Sequence, residues 1–337
     1  MVKQVRLKDI ARKLGLSPAT VSQAFNNPKI INRETRRKIL ELCEELGYVR
    51  KKYKHGKNNN IGIIGENHYI TFGGFYNFVS TGILLKAKTM GLNTNVCSFE
   101  DCEEVLPTIV TKRLVDGIII VGKMARDHIL QIKQENIPIV LCGHPMPGLE
   151  LHTVVPDGRA GIYETTKHLI VLGHKKIATI TGGQLFDPIT SDRLDGYRFA
   201  LTEAGLKVEE DYIAIADFYD LDTVAPAVEK LLSLKNCPTA IACACDAIAY
   251  CVIKILTEKG FKVPKDISVT GFDGLPFPDF LSTIKLNLTT AEVPLEQMGQ
   301  IAIDILLDVI DNPAKVAYRH TVPTKLVIGN TTATAKE

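Results

Sequence analysis

Apolar residues in the first fifty positions recur at helical spacing in three short segments. Gly15 can end the first segment, and Ser17 followed by Pro18 suits the start of the second. Asn32 can cap the third. The apolar stripes are Leu7, Ile10, Ala11 and Leu14, then Val21, Ala24 and Phe25, and then Ile39, Cys43 and Leu46. The pattern predicts three helices around one small core, with the tight turn of a helix-turn-helix.

From residue 61 onward, short apolar runs alternate with amphipathic segments. The predicted strands are 61–65, 94–99, 116–122, 137–142, 177–182, 212–216, 239–244 and 267–272. The predicted helices are 75–90, 103–113, 126–135, 158–172, 192–205, 222–234 and 246–260. This βαβ alternation predicts two α/β lobes with mainly parallel, doubly wound sheets. Ligands bind beyond the carboxyl ends of such strands, so the cleft between the lobes is the expected binding site.

Length and composition limit the number of domains and the class of protein. A chain of 337 residues suggests two or three compact units, and 45% apolar with 23% charged residues is typical of a soluble globular protein. The sequence contains no apolar run long enough to span a bilayer and no apolar signal-peptide core, so we expect a cytoplasmic protein without a membrane partner. The eight cysteines are scattered, and we expect no metal and no cofactor.

Charge is divided unevenly along the chain. Residues 1–57 carry 15 Lys and Arg against 5 Asp and Glu, whereas the remainder carries 25 against 33. This asymmetry indicates a polyanion-binding N-terminal unit on an ordinary body. A solvated basic tail is the alternative, and the dense apolar periodicity of the same segment disfavours it.

The second predicted helix is the candidate DNA-reading element. Its outward residues are Ala19, Thr20, Ser22, Gln23 and Asn26. Ala19 and Gln23 are four apart and share one face. A Gln amide can bond bidentately to an adenine edge, and an Ala methyl can contact a thymine methyl. A generic three-helix bundle with a polar surface is the alternative, which the positive charge and the glycine turn disfavour.

The run from Leu7 to Tyr48 resembles the DNA-binding domain of the LacI/GalR regulators nearly throughout, with LGLSPATVSQAFN as its specific core. The resemblance implies that Pro18, Ala19 and Gln23 read bases. It also implies backbone contacts from Ser17, Thr20, Ser22, Asn26 and Thr35. Arg6 departs from the family, because a helix-capping Thr is usual there, and it can add a phosphate contact.

The linker, residues 49–60, also departs from the family. The Pro-Asn pair and the minor-groove Leu of the usual hinge helix are missing, and the linker is about four residues shorter, roughly one helical turn. We hypothesise that it contacts DNA through charge, chiefly Lys51 and Lys52, with Tyr53 as the candidate wedge. The alternative is a flexible tether, which Gly56 and 58–60 favour.

The body resembles the same family almost to its end, in runs such as RLDGYRFAL and KDISVTGFDG. The resemblance implies an α/β two-lobed fold like that of the periplasmic sugar-binding proteins, with three chain crossings. The expected domains are 1–48 (DNA binding), 49–60 (linker) and 61–337 (effector binding and dimerisation). Within the last, the first lobe comprises about 61–157 plus 291–320, and the second about 158–290 plus 321–337.

Family positions carried over one by one provide a candidate effector site. Arg193 matches an effector-contacting arginine, and Asp273 matches an acidic residue at a strand end. The guanidinium of Arg193 can donate hydrogen bonds to sugar hydroxyls, and the carboxylate of Asp273 can accept them. The other members are Phe75 and Tyr76 as an apolar wall, Phe218 as a stacking ring, and Cys245 in place of a common Asn beside Asp246. The alternatives are a structural ion pair across the cleft for Arg193 and Asp273, and core packing for the aromatic residues.

Two departures bear on the ligand. Gly143 and His144 stand where a ligand-binding Asp often follows the fourth strand, and Val293 stands where a Gln is common. With fewer polar groups, the site suits a smaller or less hydroxylated sugar such as a pentose. His168 and His174 are six apart, unlike the spacing of helix metal sites, and we expect structural or surface roles.

These observations favour a sugar-responsive transcriptional repressor rather than an enzyme, since no HExxH, GxSxG or phosphate-loop motif occurs. We expect a homodimer on double-stranded, near-palindromic operator DNA, released by a small sugar. Two alternatives differ in class. A transport-type sugar-binding protein would not explain the basic N-terminal unit, whereas a regulator whose body binds another protein is compatible with the altered site.

Overall fold

A computed structural model of the chain describes residues 7–18, 20–21, 24, 31–46, 59–66, 74–98, 106–218, 220–276, 286–313 and 316–336. A helical N-terminal unit precedes two α/β lobes. None of the helices in these ranges combines the length and apolar character that a membrane-crossing segment requires.

The N-terminal unit contains helices α1 (Leu7–Leu14) and α2 (Arg33–Glu45), and the described residues between 18 and 24 are also helical. Gly15 adopts a φ of 63°, which ends α1 and lets the Leu16 N–H donate to the Ala11 carbonyl. The Ser17 hydroxyl accepts from the Thr20 N–H at 3.0 Å. The predicted turn and the predicted cap of the second helix are therefore confirmed.

The core of this unit also follows the predicted stripes. Its buried residues are Ile10, Ala11, Val21, Ala24, Ile39 and Cys43. The Asn32 side chain accepts from the Glu34 N–H at 2.8 Å, as predicted for the cap of α2. Arg36 Nε donates to the Ala24 carbonyl at 3.2 Å and joins α2 to the second helix, a contact that spacing alone did not predict.

The body contains twelve strands and eight α-helices among the described residues. In chain order these are β1 (Asn60–Gly65), α3 (Phe75–Thr89), β2 (Asn93–Ser98), α4 (Thr108–Thr111), β3 (Gly117–Val121), α5 (Arg126–Gln134), β4 (Ile139–Cys142), β5 (His152–Pro156), α6 (Gly158–Val171), β6 (Ile177–Gly182), α7 (Pro188–Glu203), β7 (Ile213–Ala216), α8 (Val224–Leu232), β8 (Ala240–Cys243), α9 (Asp246–Glu258), β9 (Ser268–Asp273), β10 (Thr289–Glu292), α10 (Leu295–Asp311), β11 (Arg319–Val322) and β12 (Lys325–Val327).

The first lobe is built on a parallel sheet with strand order β11-β5-β4-β3-β1-β2. Its apolar residues alternate between two buried faces. Ile63 and Ile119 share a core cluster with Val79 of α3 and Ile303 of α10. Ile118 and its neighbours on the other face pack against α4 and α5. Helices on both faces explain why these strands read as continuous apolar runs.

The second lobe repeats this plan with strand order β12-β10-β9-β8-β6-β7. All neighbours in this sheet are parallel except β10 and β12, which are antiparallel. Helices α6 and α7 cover one face and helices α8 and α9 the other. The fold is therefore the predicted pair of doubly wound α/β lobes, with one antiparallel edge strand.

Each lobe contains one helix pair whose close approach requires glycine. A Cβ on Gly82 of α3 would overlap the carbonyl oxygen of Glu296 in α10. A Cβ on Gly196 of α7 would overlap the carbonyl oxygen of Arg159 in α6. These two contacts bring the helices of each pair to backbone distance, so the same packing device stabilises both lobes.

The structure extends the predicted strand list. β5, β10, β11 and β12 lie in segments where the apolar pattern alone did not separate a strand. α7 begins at Pro188 rather than 192, because Asp187 caps it and Pro188 occupies its first position. β10 ends at Glu292 in the second sheet and β11 at Val322 in the first, two residues beyond the approximate limits expected for each lobe segment.

Candidate functional site

The described part of the candidate DNA-binding surface lies at the start of the second helix. Ser17 and Pro18 are exposed, and Thr20 is half-buried with its hydroxyl 2.8 Å from that of Ser17. Thr35, near the start of α2, is also half-buried. The remaining predicted contacts lie outside the described residues: Arg6, Ala19, Ser22, Gln23, Asn26, Lys51, Lys52 and Tyr53.

Arg193 is the central cation of the second lobe's cleft-facing edge. It lies one turn into α7 and is only 7% exposed. Its Nη1 donates to the carbonyl oxygen of Ala244 at 2.7 Å. The guanidinium carbon lies 4.2 Å from the ring centroid of Phe272 and 5.4 Å from that of Phe218. The guanidinium is thus held in place by a hydrogen bond and two aromatic rings.

Asp273 faces this guanidinium from the end of β9. Its Oδ1 lies 3.8 Å from Arg193 Nη2, and both side chains are buried. Burial raises the pKa of Asp273 well above its ordinary value, Arg193 opposes this rise, and the nearby Asp246 adds to it. The backbone of Asp273 has a φ of 129°, a region that side chains rarely adopt, so its placement at the strand end is strained.

Two polar atoms of this pair lack hydrogen-bond partners. Arg193 Nε and Asp273 Oδ1 are both buried, and neither makes a hydrogen bond within the described part of the chain, although Oδ1 is ion-paired with Arg193 Nη2. Buried polar atoms are normally satisfied, because an unmade hydrogen bond costs about 1–3 kcal/mol. These two atoms are one donor and one acceptor, and a ligand hydroxyl can bond to either kind of atom, since a hydroxyl both donates and accepts.

Asp246, at the start of α9, is buried and already bonded. It accepts from the Thr290 hydroxyl at 2.6 Å and from the Leu275 N–H at 2.7 Å. Burial raises the pKa of Asp246 to about 6, although these hydrogen bonds oppose the rise. Because both oxygens are occupied, Asp246 supports the strand ends around Asp273 rather than offering a free acceptor.

Cys245 precedes Asp246 and caps α9. Its Sγ accepts from the Ile248 N–H at 3.5 Å. Burial raises the pKa of Cys245, so this side chain is a neutral thiol. Phe218 packs against Gly182, where a Cβ would overlap its ring. The structure therefore gathers five predicted effector residues at one edge of the second sheet: Arg193, Phe218, Cys245, Asp246 and Asp273.

Phe75 and Tyr76 lie apart from this group, at the start of α3 in the first lobe. Their ring centroids are 4.9 Å apart with an edge-on geometry. The Tyr76 ring packs against Gly143, whose φ of 96° and missing Cβ make room for it. These aromatic residues therefore form part of the first lobe's wall, beside the carboxyl end of β4.

Three direct ion pairs between the lobes involve residues outside the predicted effector set. Asp187, the cap of α7, has its Oδ2 3.0 Å from His144 Nε2 and 3.4 Å from Lys123 Nζ of the first lobe. Asp192 also pairs with Arg319 of β11. The Asp-Pro pair at 187–188 is a helix-start signal that could have drawn attention to Asp187.

Arg193 and Asp273 do form an ion pair, as the structural alternative expected, but within the second lobe and not across the cleft. Both belong to the second lobe, Arg193 on α7 and Asp273 on β9, because the chain brings these two elements to the same sheet edge. The interlobe pairing instead uses Asp187 and Asp192, on the first turns of the same helix.

His168 and His174 have the structural role that was expected. His174 is 3% exposed, with its ring nitrogens within hydrogen-bond distance of Thr239 Oγ1, Ser268 Oγ and the Ala333 carbonyl oxygen. His168 Nε2 lies 3.0 Å from Thr332 Oγ1. Both rings hold the C-terminal segment against the second lobe, and burial lowers the pKa of each.

Two family models match the chain in separate regions. The model described as bacterial regulatory proteins of the lacI family matches residues 6–51. The model described as a periplasmic binding protein-like domain matches residues 166–332. The first match covers the helix-turn-helix, and the second lies within the two-lobed body.

Similar proteins extend over nearly the whole chain. The probable HTH-type transcriptional repressor ExuR of Bacillus subtilis is 30% identical over 332 residues, 96% of this chain and 97% of its own. The structure of a transcriptional regulator CelR–cellobiose complex has a TM-score of 0.69 at 25% identity, covering 97% of this chain and 99% of that one. A LacI family regulator from Enterococcus faecium with bound ribose has the same TM-score and identity, covering 82% of this chain and 100% of that one.

Proposed function

Because the chain belongs to the LacI family of bacterial transcriptional regulators, we propose that it is a sequence-specific DNA-binding repressor that a small sugar releases from its operator. Such a regulator acts in the cytoplasm, where the DNA is. The observation that carries the effector half of this proposal is the unpaired, buried donor and acceptor of Arg193 and Asp273. A sugar hydroxyl that donates to Asp273 and accepts from Arg193 satisfies both atoms.

The protein works as a homodimer in this proposal. Two N-terminal units occupy successive major grooves of a near-palindromic operator, with Pro18, Ala19 and Gln23 at the base edges. Ser17, Thr20 and Thr35 contact the DNA backbone in this proposal. The linker adds positive charge through Lys51 and Lys52.

The effector acts by changing how the lobes meet. Arg193 and Asp273 belong to the second lobe, whereas Phe75 and Tyr76 belong to the first, so a ligand that contacts both groups favours a closed cleft. Closure changes the spacing of the two N-terminal units in the dimer. A coupling of about 1–3 kcal/mol between effector and operator is enough to switch binding.

A small sugar suits this site better than a large one. Val293 is buried, and Cys245 uses its sulfur to cap α9, so neither position adds a polar contact to the ligand. Asp246 is also fully bonded. These features support a pentose-sized ligand. The relative with bound ribose and the relative with bound cellobiose show that this fold admits either size, so titration decides between them.

The DNA half is tested by selecting sites from a pool of random duplexes and measuring binding by fluorescence anisotropy. Gln23→Ala should relax the preference at one base pair of each half-site, by about 1–3 kcal/mol. Replacing Lys51 and Lys52 with Ala should lower the salt slope by about one unit per lost phosphate contact. The double variant Lys207→Ala/Lys235→Ala, at two exposed lysines of the second lobe, is the charge-matched control. Unchanged site preference in Gln23→Ala would contradict the proposed reading helix.

The effector half is tested by calorimetric titration with ribose, xylose, glucose and cellobiose, with and without operator DNA. We expect one sugar to bind and to weaken operator binding, and Arg193→Ala to reduce both effects. If no sugar binds while DNA binding is intact, a regulator whose body binds a protein becomes the better interpretation.

If Tyr53→Ala abolishes a DNA bend that the wild type induces, Tyr53 acts as the wedge.

A further inference from the structure

One side chain of the second lobe holds two side chains of the first. Asp187 Oδ2 lies 3.0 Å from His144 Nε2 and 3.4 Å from Lys123 Nζ. Its Oδ1 accepts from the Ile189 N–H at 3.0 Å, which fixes the carboxylate at the start of α7. Asp187 therefore has one oxygen anchored in its own lobe and the other directed across the cleft.

The partners of Asp187 are presented by adjacent strands. Lys123 follows β3 and His144 follows β4, each after a glycine of positive φ, Gly122 at 85° and Gly143 at 96°. These turns point the chain out of the sheet at its carboxyl edge. The contact thus lies at the mouth of the cleft, where it can exist only when the two lobes are together.

Burial makes this contact stronger than an ordinary surface pair. The side chains of His144 and Asp187 are 8% and 12% exposed. Burial alone would raise the pKa of Asp187, but the hydrogen bond and charge of His144, the Ile189 N–H and the charge of Lys123 outweigh it and hold the pKa well below its ordinary range. Asp187 is therefore an ionised acceptor, and hydrogen bonds to ionised groups are the strong ones.

The second interlobe pair differs in this respect. The side chains of Arg319 and Asp192 are 42% and 36% exposed, and solvent screens such pairs. Opening the cleft exposes both ion pairs to water. For Arg319 and Asp192 this changes little, because they are already partly exposed, whereas for His144 and Asp187 it breaks a buried hydrogen bond. The balance between open and closed lobes is therefore more sensitive to Asp187 than to Asp192.

We propose that Asp187, His144 and Lys123 form an interlobe latch that raises the fraction of molecules with a closed cleft before the effector binds. The inference rests on the proposed function for its role, because closure is the state that the sugar stabilises. The latch sets the closed fraction that the sugar finds, and the apparent affinity for sugar scales with that fraction. A chain lacking the latch needs more sugar to reach the same closed population.

Fluorescence transfer between labels on the full chain measures closure directly. Lys112 of the first lobe and Lys235 of the second are exposed and precede strands at the ends opposite the cleft, so non-natural amino acids there can carry the two dyes. Asp187→Asn removes the charge but keeps a side chain that caps helices well. His144→Asn is a second variant, whose shorter side chain does not reach Asp187. Asp195→Asn, an exposed residue of the same helix, is the matched control.

We expect Asp187→Asn and His144→Asn each to lower the closed-to-open ratio by about ten-fold without sugar, and the double variant to add little, because both remove one contact. Asp195→Asn should retain the wild-type distance. Wild-type distances in both latch variants, or fully additive opening in the double variant, would overturn the latch. If latch variants open while no sugar changes any distance, the latch stands and the proposed effector function fails.

Discussion

The two walls of the cleft place their polar groups in different ways. In the second lobe, Arg193, Asp273 and Asp246 are buried, and their neighbours within the same lobe hold them. In the first lobe, Lys123 is half exposed, and His144 reaches its bonding partner Asp187 only across the cleft. The second wall is therefore preorganised whether the cleft is open or closed, whereas the first is completed by closure.

This difference separates two tasks. A preorganised wall binds ligand without reorganisation, so most of the sugar affinity should reside in the second lobe. A wall completed by closure contributes to the equilibrium between the two lobe arrangements instead. Substitutions in the two walls should accordingly have effects of different kind and size.

The largest expected effect is that of Arg193→Ala on sugar binding. The substitution removes the buried guanidinium that donates to the sugar hydroxyl, and a hydrogen bond to a charged group contributes about 1.5–3 kcal/mol. We expect the calorimetric affinity to fall by about 10- to 100-fold. Lys123→Ala should weaken binding only about two- to three-fold, because half-exposed pairs contribute little. Equal losses in the two variants would contradict the division between the walls; Arg198→Ala, further along α7, is the control.

Unlike the two walls of the cleft, the close helix pairs of the two lobes should respond alike to substitution. Gly82→Ala and Gly196→Ala each place a methyl group against a backbone carbonyl of the neighbouring helix, so the pairs must separate. Overpacking of this kind costs about 1–3 kcal/mol of unfolding free energy. Urea denaturation should show similar losses for both variants and little change for the exposed Asp195→Ala. A large loss in one lobe alone would show that the two helix pairs are not equivalent.

The pH dependence of the free energy of unfolding reports what it costs to bury Asp246 in the second wall. Its pKa of about 6 in the folded chain lies above the value of about 3.9 for an unfolded Asp, so the folded state binds more protons between these values. Stability therefore falls as pH rises from about 4 to 6, by roughly 2–3 kcal/mol. Asp246→Asn should lack this component. Denaturation midpoints that differ between wild type and variant by a constant amount over this range would refute the assignment.

The smallest expected effect belongs to His174, at the end of the second lobe remote from the cleft. Burial lowers its pKa, so below about pH 6.5 the unfolded chain binds the proton more readily than the folded chain. Stability should fall as pH decreases through this range, and His174→Asn should reduce the slope. Sugar affinity should not change in this variant. A change in affinity would show that the C-terminal segment influences the cleft.

The N-terminal unit was the most predictable region, because its elements are local. Gly15, Ser17 and Asn32 are turn and cap residues whose roles depend on neighbours within five positions. Strands β1–β4 and β6–β9 were predictable for the same reason, since each contains a short apolar run, whereas the buried β5 was not separated from its surroundings. The strands after residue 287 were not separated by pattern, because β10, β11 and β12 include polar residues and lie near or at the sheet edges.

The cleft shows where local reasoning ends. Residue types and family positions were sufficient to nominate Arg193 and Asp273, but their membership of one lobe follows from the order of strands and helices around the second sheet. Asp187 could be recognised as a helix cap from its neighbours, yet its bonds to Lys123 and His144 join residues 64 and 43 positions apart. Short-range patterns specify elements, because caps, turns and apolar stripes act within a few residues. Contacts between the lobes depend on how the two complete lobes pack together, so only the tertiary structure shows them.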